Sequence, residues 1–163
     1  MIMEDENYQK VRDHALKLLS FRPRSTKEVS VKLQKFTAKR DFPNEIIGKV
    51  INELTEQKFL DDKEFVRWWV DQRQSYRPKG ARAIKMELLC KGIEKEVIDE
   101  ILSTNDGEKI SEYDLAKKVV DKKIVHFKHL PQEKLKIKVR DLLARRGFDW
   151  ETIRKVIDSV VEK

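Results

Sequence analysis

Apolar residues fall along this chain at the three- and four-residue spacing of helix faces, and the faces recur. A first helix carries Ala15, Leu16 and Leu19, then Phe65, Val66 and Trp69, then Leu115, Ala116 and Val119, at a constant offset of 50 residues. A second carries Val29 and Leu33, Ile84 and Leu88, Val139 and Leu143, at an offset of 55. A third follows a turn ending in an apolar residue and carries Phe42, Ile47 and Ile51, Ile93, Ile98 and Leu102, Phe148, Ile153 and Ile157. The repeats differ in loop length, the first having four more residues before Phe42 than the second has before Ile93, and such differences cost little in a loop.

Helix punctuation falls where the repeat requires it. The first amides of a helix lack internal acceptors, and Ser25 with Glu28 forms a capping box for them. Asp61 with Glu64 is an equivalent pair, Ser111 with Asp114 a weaker one, and Asp149 precedes the last helix. Pro43 and Pro131 suit first-turn positions, and Gly92 and Gly147 suit left-handed stops after the second helix. The TNDG stretch, Thr104 to Gly107, reads as a linker. The expectation is an all-α protein of three tandem three-helix repeats, residues 1–57, 58–103 and 104–163. Each is too small to bury enough surface alone, so they are expected to stack into an elongated, curved molecule.

Composition agrees with this picture. Of the 163 residues 40% are charged, with five glycines and four prolines, which favours long solvated helices over a strand-rich sandwich or barrel. The net charge of +7 and pI near 9.4 suit a partner of negative potential. The excess is spread along the chain: 11 basic and 9 acidic residues in the first segment, 10 and 9 in the second, 15 and 11 in the third. The single cysteine, Cys90, excludes an internal disulfide and is expected to pack inside a helix. Glu4, Asp5 and Glu6 stand where a secretory signal needs positive charge, and no apolar run approaches membrane-spanning length, so no membrane and a cytoplasmic location are expected.

The most informative stretch runs from Phe59 to Ile93. Leu60, Asp61, Asp62 and Phe65, then Arg73, Lys79 and Gly80, then Ile84, Glu87, Leu88, Lys91, Gly92 and Ile93 closely resemble the signature of the RecX family, bacterial regulators of the RecA recombinase. The resemblance implies a row of three-helix modules. It implies a monomer that binds RecA and its nucleoprotein filament and limits filament growth, strand exchange and coprotease activity without chemistry of its own. It leaves room for weak direct DNA binding.

Seven basic side chains between residues 67 and 91, namely Arg67, Arg73, Arg77, Lys79, Arg82, Lys85 and Lys91, face only Asp71 and Glu87. Lys79, Arg82 and Lys85 step by three along one helix, so their charge is expected to project together. Gly80 at the helix entry would let a phosphate or carboxylate approach backbone amides that already favour anions. Arg22 and Arg24 occupy the corresponding turn of the first repeat, and Lys134, Lys136, Lys138 and Arg140 that of the third. With Trp68, at the edge of the apolar arc, Arg67, Arg77, Lys79, Arg82, Lys85, Arg22 and Arg24 are the candidate partner-binding residues. Asp61, Asp62, Phe65, Arg73, Gly80 and Gly92 are expected to be structural, with Arg73 pairing with terminal carbonyls or with the Asp61–Asp62 turn.

Catalysis finds little support. His14, His126 and His129 are dispersed or lack ligand partners, so no metal site is expected, and no phosphate loop, nucleophile elbow or paired-acid motif occurs. Neither an enzyme nor a cofactor is expected. The alternatives are a helical protein that binds DNA directly without RecA, which a steep salt dependence would reveal, and a structural adaptor for another protein.

Overall fold

The computed structural model describes residues 2–104 and 110–162, so the Asn105–Gly107 part of the expected linker lies outside the described residues. Nine α-helices and no strand occur among the described residues: α1 (Ile2–Phe21), α2 (Thr26–Ala38), α3 (Glu45–Glu56), α4 (Asp62–Ser75), α5 (Ala81–Cys90), α6 (Lys95–Ser103), α7 (Glu112–Phe127), α8 (Gln132–Arg145) and α9 (Trp150–Val161). The all-α expectation holds. The chain forms two compact units, one of Met1–Trp68 with Leu88–Ile101, the other of Trp69–Glu87 with Leu102–Lys163.

Most of the repeated anchors leave water. Val29, Leu33, Ile84, Leu88, Val139 and Leu143, the second-helix pairs, are all buried. In the first unit Val29 and Leu33 join Val11, Ala15, Ile47, Val50, Leu54 and Leu60 in one core. In the second, Val139 and Leu143 join Leu115, Ala116, Val119, Val120, Phe148, Ile153 and Val156. Each such side chain contributes roughly 1.5–3 kcal/mol on burial, so a six-residue anchor set outweighs any single polar contact described below.

The caps expected from sequence are present. The Glu28 amide donates to Ser25 Oγ and the Ser25 amide to Glu28 Oε2, both at 3.1 Å, completing the capping box. Asp61 Oδ1 accepts from the Lys63 and Glu64 amides at 3.0 and 3.3 Å. Ser111 accepts from the Asp114 amide, and Asp149 from the Thr152 amide. The prolines fall just before the first turn rather than in it: Pro43 precedes the N-cap Asn44, and Pro131 is itself the N-cap of α8. A residue there donates no intrahelical bond, so a missing N–H has no cost.

Three residues take left-handed backbone immediately before the apolar start of the third helix: Asp41 (φ 56), Gly92 (φ 79) and Gly147 (φ 79). Cys90 departs from expectation, for it is exposed rather than packed. It sits on the last turn of α5, one position past Leu89, which is itself exposed, so the buried side of the helix ends at Leu88.

Candidate protein-interaction surface

One joint is built twice. In the first unit, the Thr26 amide at the start of α2 donates to Asp62 Oδ1 at 2.9 Å, and Ser25 Oγ donates to the Lys91 carbonyl at 2.7 Å. In the second unit, the Ala81 amide at the start of α5 donates to the Glu112 carboxylate, and the Gly80 amide donates to the Arg146 carbonyl at 2.9 Å. Asp62 and Glu112 stand 50 residues apart, and Lys91 and Arg146 stand 55 apart. The start of a second helix is thus capped by a carboxylate from the next first helix and held to the carbonyl before the next left-handed glycine. A carboxylate there complements both the orphan amides and the positive end of the helix. Burial raises the Glu112 pKa, the Ala81 amide works against that rise, and Asp149 adds to it.

The joint explains the structural glycines and revises one of them. A Cβ on Gly147 would lie 2.9 Å from the Ala83 amide nitrogen, and one on Gly92 would meet the flexible side chain of Lys27. A Cβ on Gly80 would lie 2.5 Å from the Gly147 carbonyl carbon and 2.6 Å from the Phe148 amide nitrogen. Gly80 is therefore required for a close approach of backbone to backbone. The expected opening for a phosphate is absent here, because the Gly80 and Ala81 amides are already taken by Arg146 and Glu112.

The candidate cations differ widely in what they touch. Lys79 lies before α5 rather than along it, and pairs with Glu87, which also accepts from Arg73 Nε at 2.7 Å and Trp69 Nε1 at 2.9 Å. The Arg73 guanidinium lies 4.6 Å from the Trp69 ring centroid. Arg73 accordingly finds its carboxylate in Glu87, not in the Asp61–Asp62 turn, and the expected row of Lys79, Arg82 and Lys85 loses its first member. Burial works to raise the Glu87 pKa, but Lys79, Arg73 and Trp69 outweigh it and hold the carboxyl below its usual range.

At the first-repeat turn, Arg22 Nη2 bonds Glu28 Oε1 at 3.0 Å and Arg24 Nε donates to the Leu18 carbonyl at 3.0 Å. Lys91 reaches the same Glu28 at 2.8 Å. Burial pushes the Glu28 pKa up, yet Arg22, Lys91 and the Ser25 amide bring it down to about 2. Arg22 and Arg24 are therefore half-buried and internally engaged. In the middle repeat, Arg67 is exposed and pairs with Glu64, whereas Arg77 and Arg82 are exposed with no ion pair among the described residues. Lys85 is half-buried. In the third repeat Lys136 pairs with Glu133 and Arg140 with Asp141, while Lys134 and Lys138 are exposed.

Trp68 keeps its edge position. Its ring packs on Phe65, buried at 2% exposure, at a centroid distance of 5.9 Å. It lines a surface cavity of about 380 Å³ with Leu19, Pro23, Phe59 and others. Among the described residues no three His, Cys, Asp or Glu side chains come together to hold a metal, and no helix is long and apolar enough to cross a membrane.

Three family models match the chain in order, described as the first three-helix domain of RecX over residues 12–54, the second over 61–102 and the third over 111–157. The chain is 32% identical over 160 residues to Regulatory protein RecX of Chlorobium phaeobacteroides (strain BS1), covering 97% of this chain and 98% of that one. It is 31% identical over 163 residues to Regulatory protein RecX of Clostridium tetani (strain Massachusetts / E88), covering 99% and 72%. The crystal structure of RecX from Lactobacillus salivarius shares the fold at a TM-score of 0.80, with 23% identity over 98% of this chain and 99% of that one.

Proposed function

Since this chain belongs to the RecX family of regulatory proteins, we propose that it binds the RecA recombinase and RecA–DNA filaments and negatively modulates filament extension, strand exchange and coprotease activity. The observation that carries this reading is the ordered match of all three RecX domains, supported by a relative similar along nearly its whole length. The protein acts as a cytoplasmic monomer, without cofactor or catalytic step, and the repeats 1–57, 58–103 and 104–163 are its working units.

Within the middle repeat, the exposed Arg67, Arg77 and Arg82 are the side chains offered to the partner, with Trp68 as an aromatic neighbour of Arg67. Lys79 is assigned instead to the Glu87 network, and Arg22 and Arg24 to the turn they stabilise. Exposed arginines suit this role because their planar donors pair with carboxylate geometry at little reorganisation cost.

The test is DNA-dependent ATP hydrolysis by RecA from the same source, with this protein added at low ratios to preformed filaments. Hydrolysis should fall as filaments shorten. Unchanged hydrolysis and unchanged filament lifetime would sink the proposal. A folded variant carrying Arg67→Glu, Arg77→Glu and Arg82→Glu should inhibit poorly, and full inhibition by it would exclude these side chains.

A further inference from the structure

A one-sided positive charge in the first unit lies outside the stretch from Phe59 to Ile93. Between α1 and α2 an open cleft of about 460 Å³ is lined by His14, Leu18, Lys32, Lys35, Phe36, Lys39 and Arg40, and no carboxylate contributes to it. Lys32, Lys35, Lys39 and Arg40 are exposed, as is Lys17, one turn from His14 on α1. None of the four lysines has an ion pair among the described residues, in contrast to Arg22, Lys63, Lys79 and Lys91.

The floor of the cleft is ordered. The His14 ring stacks on Phe36 at 4.1 Å between centroids and 15° between planes. The Arg40 guanidinium carbon sits 3.8 Å from the Phe36 centroid, and its Nη1 donates to the Phe36 carbonyl at 3.3 Å. Arg40 is thus oriented by a ring face and a carbonyl, with no acid to neutralise it. The His14 pKa is lowered, first by burial and then by Arg40, Lys17 and Lys32. Arg40, Lys17 and Lys32 act on that ring in the same direction as burial, and no carboxylate lines the cleft beside it.

We propose that this cleft binds consecutive phosphates of a nucleic-acid strand, with Lys32, Lys35 and Lys39 as a row of contacts, Arg40 at its end and Lys17 on the facing helix. The spacing favours a strand over a compact anion. Positions 32 and 35 on α2 and 39 at its C-cap recur at three and four residues on one side and span about 10 Å of helix axis, at roughly 1.5 Å per residue. A single phosphate would reach one or two of these ammonium groups, whereas a phosphodiester chain can meet them in succession. The contacts are positioning contacts without base readout, so binding is insensitive to sequence and sensitive to salt. The proposal goes beyond the reading of the chain as a RecA regulator, because it assigns a second ligand class to the first repeat and needs no RecA for its test.

The experiment is fluorescence anisotropy of the full chain with a labelled 20-nucleotide oligo(dT), repeated over a range of salt concentrations. The comparison is a variant carrying Lys32→Gln, Lys35→Gln and Lys39→Gln, which keeps good helix formers on α2. Loss of three single-strand contacts should weaken binding about tenfold or more at low salt and flatten the log–log salt dependence by about 2, at roughly 0.7 per contact. A folded variant with unchanged affinity and slope overturns the proposal, as does a parent protein that binds no oligonucleotide at low salt. Competition by tripolyphosphate at equal phosphate, or by polyglutamate at equal charge, as strong as by unlabelled oligo(dT) would show a compact-anion or acidic-protein site and overturn it too. On the unmodified chain, oligo(dT) should shift the His14 ring proton resonances and leave those of His126 and His129 in place; the reverse pattern refutes it.

Discussion

Replacing Gly80 with alanine asks whether this glycine opens a helix start to an anion or closes a backbone joint. It precedes α5, its carbonyl accepts from the Ile84 amide, and it is buried, with no positive φ. Backbone strain is therefore not the issue. The added Cβ meets the Gly147 carbonyl group and the Phe148 amide, which are backbone atoms and cannot swing aside as a side chain would. Overpacking of this kind costs about 1–3 kcal/mol. Separating the segments also weakens the bond from the Gly80 amide to Arg146, a net of about 0.5–1.5 kcal/mol. A few tenths more go with alanine at an N-cap. The expected loss is about 2–4 kcal/mol, or roughly 5–15 °C in melting temperature for a chain of this size. Urea and thermal melts followed by far-ultraviolet circular dichroism measure it. The control is Gly48→Ala on α3, where a Cβ meets nothing within 4 Å, and where alanine should stabilise by about 0.5–1 kcal/mol. If Gly80→Ala lies within about 0.5 kcal/mol of the parent on the scale that the control calibrates, the joint argument is wrong.

Three further outcomes are expected. Glu87→Ala leaves Trp69, Arg73 and Lys79 without their shared acceptor and should cost about 1–3 kcal/mol in a urea melt, while Lys79→Ala should cost less because Arg73 and Trp69 keep theirs. The Glu28 pKa is depressed to about 2, so its contribution, on the order of 3 kcal/mol, is complete above the ordinary carboxyl range and is lost as pH falls from about 4.5 through about 2. Stability measured over that window should fall less steeply for Glu28→Gln than for the parent, and parallel curves would contradict the assignment. Cys90 should react completely with a thiol-specific disulfide reagent in the native protein, without denaturant; protection until unfolding would show it packed.

What could be read from sequence and what could not divide along a physical line. Anchors such as Val29, Leu33, Val139 and Leu143, and caps such as Ser25 with Glu28, are local in the chain, so spacing alone exposes them. The joint is not local. Ser25 meets Lys91 across 66 residues, and Arg146 meets the Pro78 carbonyl across 68, and no periodicity carries that information. The same holds for Glu87: its value as the partner of Lys79 and Arg73 depends on how the turn before α5 folds back, which a helical wheel begun at Lys79 cannot represent. Lysines 32, 35 and 39 share a face that spacing alone exposes. Residues 67–91 hold more cations in the sequence, but only the folded chain shows that Glu87 neutralises two of them.

The left-handed residue before each third helix also keeps a record of neighbourhood. Gly92 and Gly147 have the preceding second helix packed against them, through Lys27 and Ala83, and at both a side chain would collide as well as strain. Asp41 takes the same backbone twist, yet it is exposed and carries a carboxylate. Twist alone thus tolerates aspartate, while twist under a neighbour demands glycine. The identity of this single residue therefore reports what its own repeat packs against: glycine where a second helix lies on the turn, aspartate where the turn stands exposed.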